Sequence, residues 1–304
     1  MEKKNKLLVT GSVAYDTIET PMDSEEFILG GSASYAALAA SFFCPVMIEG
    51  VVGSDFKESD ISRLRERGID TEGLRVDPQG KTMFWRGKYH DNFNSRETLD
   101  IQLNAYADYV PNLVEASKEA RFVLLGNISP FVQKTVLESV RDPDFVILDT
   151  MDLWINTTNA ELKEIINRVD LVIMNDSEAK LLAEDSNLIR AADKIRNMGA
   201  KTLVVKLGEY GSMLFHEDGF FTTPAYPVRE VRDPTGAGDS FAGTLAGCIC
   251  ASGNADFTSL KKAMVTSSAT ASITVESFSC RKLEEAGMEE IERRAKYILN
   301  SCKL

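Results

Sequence analysis

Short apolar runs alternate with longer amphipathic stretches along most of this 304-residue chain. That alternation is the pattern of βαβ units and a mostly parallel sheet. Residues 7–10, 46–52, 122–125, 145–148, 171–174 and 203–207 read as strands. A small-residue helix over 31–43 is ended by Pro45, and a helix over 55–67 is closed by Gly68. Another helix follows Pro130. Asp149, Asn175 and Gly208 fall at or just past the carboxyl ends of their strands. Residues 212–215 and 220–223 predict a hairpin around Asp218-Gly219. Residues 237–251, 257–274 and 284–300 predict three helices. The expected fold is α/β: a doubly wound, mostly parallel sheet flanked by helices, forming one domain over 1–304. Its ligands belong at the carboxyl ends of the strands.

One segment departs from this rhythm. Over 81–107 apolar residues alternate, as Met83, Trp85, Gly87 and Tyr89 and then Leu99, Ile101 and Leu103. A period of two means strands. With residues from about 12–20 it predicts a small β-sheet, either an edge extension of the main sheet or a lid over a site that must exclude water. Asp100, Gln102 and Asn104 would share its polar face, lining a pocket or facing solvent. Trp85, Tyr89, Phe93 and Arg96 would pack as the lid's own core, stack on a ligand or form a dimer contact.

Composition narrows the partners. A net charge of −12 and a sequence pI near 4.8 argue against nucleic acid and against an anionic membrane surface. They leave room for an anionic nucleotide in a locally positive site. The five cysteines fit no zinc spacing and predict reduced, mostly buried thiols; the two histidines, His90 and His216, adjoin no metal motif. The charged residues 1–6 precede only three apolar ones, which is no signal peptide, and no run approaches the length of a membrane span. A cytoplasmic location is the expectation.

The chemistry concentrates in Asp233-Pro234-Thr235-Gly236-Ala237-Gly238-Asp239-Ser240-Phe241. Small residues immediately before an apolar helical run place free amides and the positive helix end where an anion can approach. Asp239 then falls in the first turn, beside that anion. It either serves as the base for an attacking hydroxyl or only stabilises the helix dipole.

This string closely resembles the C-terminal signature of the PfkB, or ribokinase-like, carbohydrate kinase family, and the resemblance runs through nearly the whole chain. Gly30-Gly31-Ser32-Ala33-Ser34-Tyr35-Ala36 is similar to that family's double-glycine signature. Asp16 matches its hydroxyl-binding acid, Asn175-Asp176-Ser177-Glu178 its N-x-x-E motif, and Lys206-Leu207-Gly208-Glu209-Tyr210-Gly211 its nucleotide-binding strand and turn.

The resemblance implies a ribokinase-like fold and transfer of the γ-phosphoryl group of ATP to a hydroxyl of a small sugar or sugar-like alcohol. Asp239 would be the general base, with Gly236, Ala237 and Gly238 as the anion cradle. Asp16, Gly30, Gly31, Ser34, Tyr35 and Asn104 would face the acceptor. Asn175, Glu178, Lys206, Gly208 and Gly211 would serve the nucleotide. Glu178 would act on Mg²⁺ through water, and the loop of Asp233 and Thr235 could hold a monovalent cation such as K⁺.

Several residues keep two readings. Asn175 can be a plain N-cap, Glu178 a first-turn glutamate, Gly208 a strand end, and Lys206 a phosphate ligand or a solvated lysine. Tyr35 stands where the family often has Asn, so it either meets an acceptor hydroxyl or packs within its helix. A free carbohydrate acceptor leads over a nucleoside. A catalytically silent sugar or nucleotide sensor is disfavoured by the retained Asp239. A dehydrogenase lacks its G-x-G-x-x-G turn. The edges of a lid sheet would be protected in a homodimer.

Overall fold

The computed structural model describes residues 5–90, 93 and 96–303. The chain opens with β1 (Leu7–Thr10), then the antiparallel pair β2 (Ala14–Glu19) and β3 (Ser24–Gly30), and α1 (Ser32–Ala40). β4 (Val46–Gly53), α2 (Glu58–Glu66) and β5 (Leu74–Asp77) follow, and then a second antiparallel pair, β6 (Met83–Tyr89) and β7 (Arg96–Gln102). After a 3-10 turn at Asn104–Tyr106 and the short α3 (Glu115–Lys118), strands and helices alternate. These are β8 (Phe122–Leu125), α4 (Pro130–Ser139), β9 (Phe145–Asp149), α5 (Asp152–Thr157), α6 (Asn159–Ile166), β10 (Leu171–Asn175), α7 (Asp176–Ala183), α8 (Leu188–Asn197) and β11 (Thr202–Lys206). The hairpin β12 (Ser212–His216) and β13 (Gly219–Thr223) precedes α9 (Ala237–Ser252), α10 (Phe257–Thr274), α11 (Arg281–Glu285) and α12 (Met288–Ser301).

Nine strands form the large sheet in the order β13-β12-β11-β10-β9-β8-β1-β4-β5. It is parallel from β11 to β5, and the terminal β12–β13 hairpin runs antiparallel. Helices cover both faces, so its central strands are buried throughout rather than alternating. Leu7, Val9, Leu124, Ile147 and Val204 pack on the face shared with α1 and α9. Leu8, Val123, Leu148, Val172 and Val205 pack on the other. The strand order reverses at β1, between β8 and β4, which is where a doubly wound sheet opens a crevice at its carboxyl edge.

The smaller sheet runs β3-β2-β6-β7, with β2 and β6 parallel. Its strands therefore come from two separate parts of the chain. Sequence analysis expected strands near 12–20 and 81–107 and missed β3, whose outer half, Ser24–Phe27, is mostly polar and exposed. It also missed β5, a short edge strand with two exposed residues in its middle. The helix expected over 31–43 starts at Ser32. Gly31 takes φ 87°, and a Cβ there would lie 2.4 Å from the Ser12 carbonyl oxygen. The helix expected over 284–300 divides into α11 and α12, with the break at Ala286-Gly287.

Candidate active site

The carboxyl ends of β9, β10 and β11, the N-terminus of α9 and the tip of the smaller sheet surround one cleft of about 900 Å³. Its floor is the start of α9. Gly236 adopts a left-handed conformation (φ 76°) and turns the chain into the helix, and no side chain caps the end. The Ala237 amide donates to the Pro234 carbonyl at 3.2 Å; the other first-turn amides have no acceptor within the helix, and Gly236, Ala237 and Gly238 line the cleft. They form a cradle for an oxyanion, reinforced by the helix dipole. Gly238 also lies close to Lys206; a Cβ there would sit 3.1 Å from the ammonium nitrogen.

Asp239 follows in the first turn and lines the same cleft. Burial, and then the charge of Asp149, push its carboxyl up to about 6. It is therefore poised to take up or release a proton near neutrality.

Lys206 is neither solvated nor free to swing. It donates to both carboxylate oxygens of Asp149, at 3.2 and 3.1 Å, and its side chain is 18 % exposed. Burial alone would lower its ammonium, but Asp149 and then Glu178 hold it charged above the usual lysine range. Asp149 is the residue sequence analysis noted only as the end of a strand. An acid closing an apolar strand on the ligand side was the available signal.

Asn175 and Glu178 are the N-cap and first-turn glutamate of α7. They form a capping box on α7: the Glu178 amide donates to Asn175 Oδ1 at 2.8 Å, and the Asn175 amide donates to Glu178 Oε2 at 2.7 Å. Both also line the cleft. Burial lifts the Glu178 carboxyl to about 7. Gly208 and Gly211 bracket the 3-10 turn after β11 and line the cleft as well.

Asp16 sits in the middle of β2, 3 % exposed. Burial, and next the charge of Asp233, raise its carboxyl to about 8. The double glycine makes room for it. A Cβ on Gly30 would fall 1.9 Å from Asp16 Oδ2. Asp233 is fully buried; its Oδ1 accepts from the Thr235 amide at 2.8 Å, and its Oδ2 has no partner among the described residues. Burial pushes its carboxyl to about 6.

Ser34, Tyr35 and Asn104 do not line the cleft, and of the two readings kept for Tyr35 the structure shows packing. Ser34 and Tyr35 point into the protein, 0 % and 1 % exposed, and neither hydroxyl has a partner among the described residues. The Tyr35 ring lies directly beneath Gly236. Asn104 is in the 3-10 turn beside the smaller sheet, outside the cleft lining, and its amide donates to the Thr82 carbonyl at 2.9 Å.

The smaller sheet reaches the cradle through Tyr89, whose hydroxyl meets Thr235 Oγ1 at 3.1 Å, one residue before Gly236. Tyr89, Phe93 and Arg96 line that side of the cleft. Trp85 stands opposite Asp16 in the β2–β6 ladder, and its indole lies across Gly87, where a Cβ would meet the ring at 2.1 Å.

An anion cradle beside a carboxylate, at the carboxyl edge of a doubly wound sheet, is the site of a small-molecule phosphotransferase. The chain matches the model of the pfkB family carbohydrate kinases over residues 4–286 and belongs to that family. It is a sugar or nucleoside kinase of an ATP-dependent family. It is 28 % identical over 248 residues to the cytidine kinase of Thermococcus kodakarensis, covering 78 % of this chain and 86 % of that protein. It is 27 % identical over 259 residues to the ribokinase of Lactococcus lactis, with 79 % and 82 % covered. A putative ribokinase II from E. coli, solved with ATP and Mg²⁺, superposes with a TM-score of 0.80 at 20 % identity, covering 96 % of this chain and 99 % of that one, and shares the fold. Among the described residues no helix is long and apolar enough to cross a membrane.

Proposed function

We propose that this kinase transfers the γ-phosphoryl group of Mg-ATP to a hydroxyl of a sugar, free or within a nucleoside, with Asp239 as the general base. The observation that carries this reading is the placement of the Asp239 carboxyl in the first turn of α9, beside the open cradle of Gly236, Ala237 and Gly238. Asp239 takes the acceptor proton as the hydroxyl oxygen attacks the γ-phosphorus. The cradle amides receive the negative charge that grows on the phosphoryl oxygens, the term that contributes most in such sites.

The nucleotide would lie along the β9–β11 side of the cleft. Tyr226, Val228, Val231 and Val275 give its far end an apolar wall suited to a base. Asn175, Gly208 and Gly211 would border the phosphates. Among the described residues no group of three or more His, Cys, Asp or Glu side chains could cage a metal. That suits Mg²⁺, which keeps waters and binds largely through substrate phosphates, with Glu178 acting through water. The unpartnered Asp233 Oδ2 and the Thr235 loop suit a monovalent cation.

Asp16, with Gly30 and Gly31, would orient the acceptor, and the smaller sheet would close over it as a lid within a single domain. The planar face of Trp85 opposite Asp16 favours a nucleoside as the second reading, since an indole stacks on a base. The exposed edge strands of that sheet would pair in a homodimer.

The test is ADP release by purified protein with Mg-ATP and a panel of pentoses, hexoses, inositols and nucleosides, run beside Asp239→Asn. Turnover with one acceptor class, lost in the variant while ATP binding persists, is the expected result. Near-normal turnover in Asp239→Asn would sink the base assignment. A monomer mass by light scattering at micromolar concentration would count against the dimer.

A further inference from the structure

The cleft gathers carboxylates and few cations. Asp149, Asp152, Glu178, Glu209 and Asp239 all line it. Two cationic side chains line it among the described residues, Lys206 and Arg96. Lys206 is already committed to Asp149. A phosphoryl group entering here brings further negative charge, and the cradle amides carry only partial positive charges.

Arg96 is differently placed. It opens β7, directly opposite Tyr89 at the end of β6. Tyr89 is 6 % exposed and fastened to Thr235, so this corner of the smaller sheet is held against the cradle loop. The Arg96 guanidinium lies 5.8 Å from the centre of the Trp85 ring, which holds it over the sheet's inner face. Among the described residues it forms no carboxylate ion pair. Its positive charge is nevertheless felt at Asp16, Glu178 and Asp239, three acids on three different elements. Arg96 lines the same cleft as Glu178, Asp239 and the cradle residues, where acceptor, base and phosphates would converge.

We propose that Arg96 is a catalytic residue carried by the smaller sheet, contacting the γ-phosphoryl group as it passes from nucleotide to acceptor. This rests on the kinase reading above. The acceptor O–H bond breaks and its proton goes to Asp239. The freed oxygen forms a bond to the γ-phosphorus. The bond from that phosphorus to the β–γ bridging oxygen breaks, and its electron pair leaves on ADP. Arg96 exchanges no proton; its guanidinium donates to equatorial oxygens of the transferring group, for which its planar fork is suited. Tyr89 is the positioning residue: opposite Arg96 in the ladder, it fastens this end of the sheet to Thr235.

The test compares binding of Mg-ADP with and without aluminium fluoride, a mimic of the phosphoryl group in flight, by calorimetry. Wild type is expected to gain at least tenfold in apparent affinity with fluoride present. Arg96→Gln should bind Mg-ADP as wild type does and lose most of that gain, while Arg96→Lys keeps part of it. Tyr89→Phe should reduce the gain by a smaller factor. With the acceptor found by the panel, kcat in Arg96→Gln should fall about 100-fold or more at unchanged KM for ATP. An undiminished gain in Arg96→Gln, no gain in wild type, or a raised acceptor KM at normal kcat would each overturn the proposal. Failure of wild type to bind Mg-ADP at all would instead overturn the kinase reading. If Arg96→Gln melts early, the comparison is read on Arg96→Lys, where a partial loss of the gain at unchanged Mg-ADP affinity supports the proposal, and a full gain with normal kcat, or an equal loss of Mg-ADP affinity and gain, overturns it.

Discussion

The ring of Tyr35 occupies the space that a side chain on Gly236 would need. A Cβ there would stand 2.3 Å from the ring carbons. The tyrosine in α1 thus sets the height of the anion cradle at the start of α9. Gly236→Ala must adopt a left-handed backbone and push against a fully buried ring. A loss of about 2–4 kcal/mol in unfolding free energy is expected by denaturant titration. Displacement of the cradle should reduce kcat by about 100-fold. In a Tyr35→Ala background the added cost should be smaller than in wild type, since the clash is gone.

Asp239 must be ionised to accept a proton, and its carboxyl is raised to about 6. The rate of transfer at low substrate should therefore rise with pH and level off above a midpoint near 6. Asp149→Asn removes the charge that helps raise Asp239 and leaves Lys206 without its partner. The midpoint of that variant should move to lower pH, and an upward move in the pH–rate profile would contradict the coupling.

The Lys206–Asp149 pair is buried, and removing one member strands the other. Lys206→Met should cost about 3–5 kcal/mol of stability. The double variant Lys206→Met with Asp149→Leu should recover much of that loss by thermal melting, because no charge is left unpaired. It should not recover turnover, which separates the structural part of the pair from its place beside the phosphates.

Asp16 has its carboxyl raised to about 8, far above its value in the unfolded chain. The folded state then binds the extra proton, so stability is fully present below about pH 4 and is lost as pH rises toward 8. Asp16→Asn should raise the melting temperature, by more at pH 8 than at pH 5, and should weaken acceptor binding. A stability gain independent of pH would show that burial is not what this acid pays.

The glycine-rich start of α9 and the acid in its first turn were legible in the sequence because they are local: Gly236 to Asp239 are consecutive, and a helix start needs no tertiary information to be recognised. The parallel strands were legible for the same reason, each being an uninterrupted apolar run. β3 was not, because its outer half is polar and its partner in register lies across a turn. Asp149 was visible as a strand end but not as a partner of Lys206, since that pairing depends on β9 and β11 flanking β10 in the sheet. Tyr35 was left between a packed and a ligand-facing reading for a related reason. Helical periodicity shows which residues share a face, and in α1 every face is buried. Arg96 drew notice only as part of an aromatic-rich segment. Its place at the cleft follows from the ladder that sets it opposite Tyr89.

The helices behind the cradle leave almost no room for change. Gly243 of α9 packs so tightly on α1 that a Cβ would fall 2.1 Å from the Ala36 carbonyl oxygen, and Thr274 of α10 is hydrogen-bonded to Ser240. β7 is the opposite, exposed along its whole length at the rim of the smaller sheet. For a lineage under mutation the two surfaces have different histories open to them. Variation in α9 is purged as loss of the folded protein, whereas variation along β7 beyond Arg96 stays within the stability margin and accumulates. A new acceptor preference is therefore reached with least loss by drift over Glu97 to Gln102, with Arg96 and the rest of the phosphoryl-transfer machinery inherited unaltered.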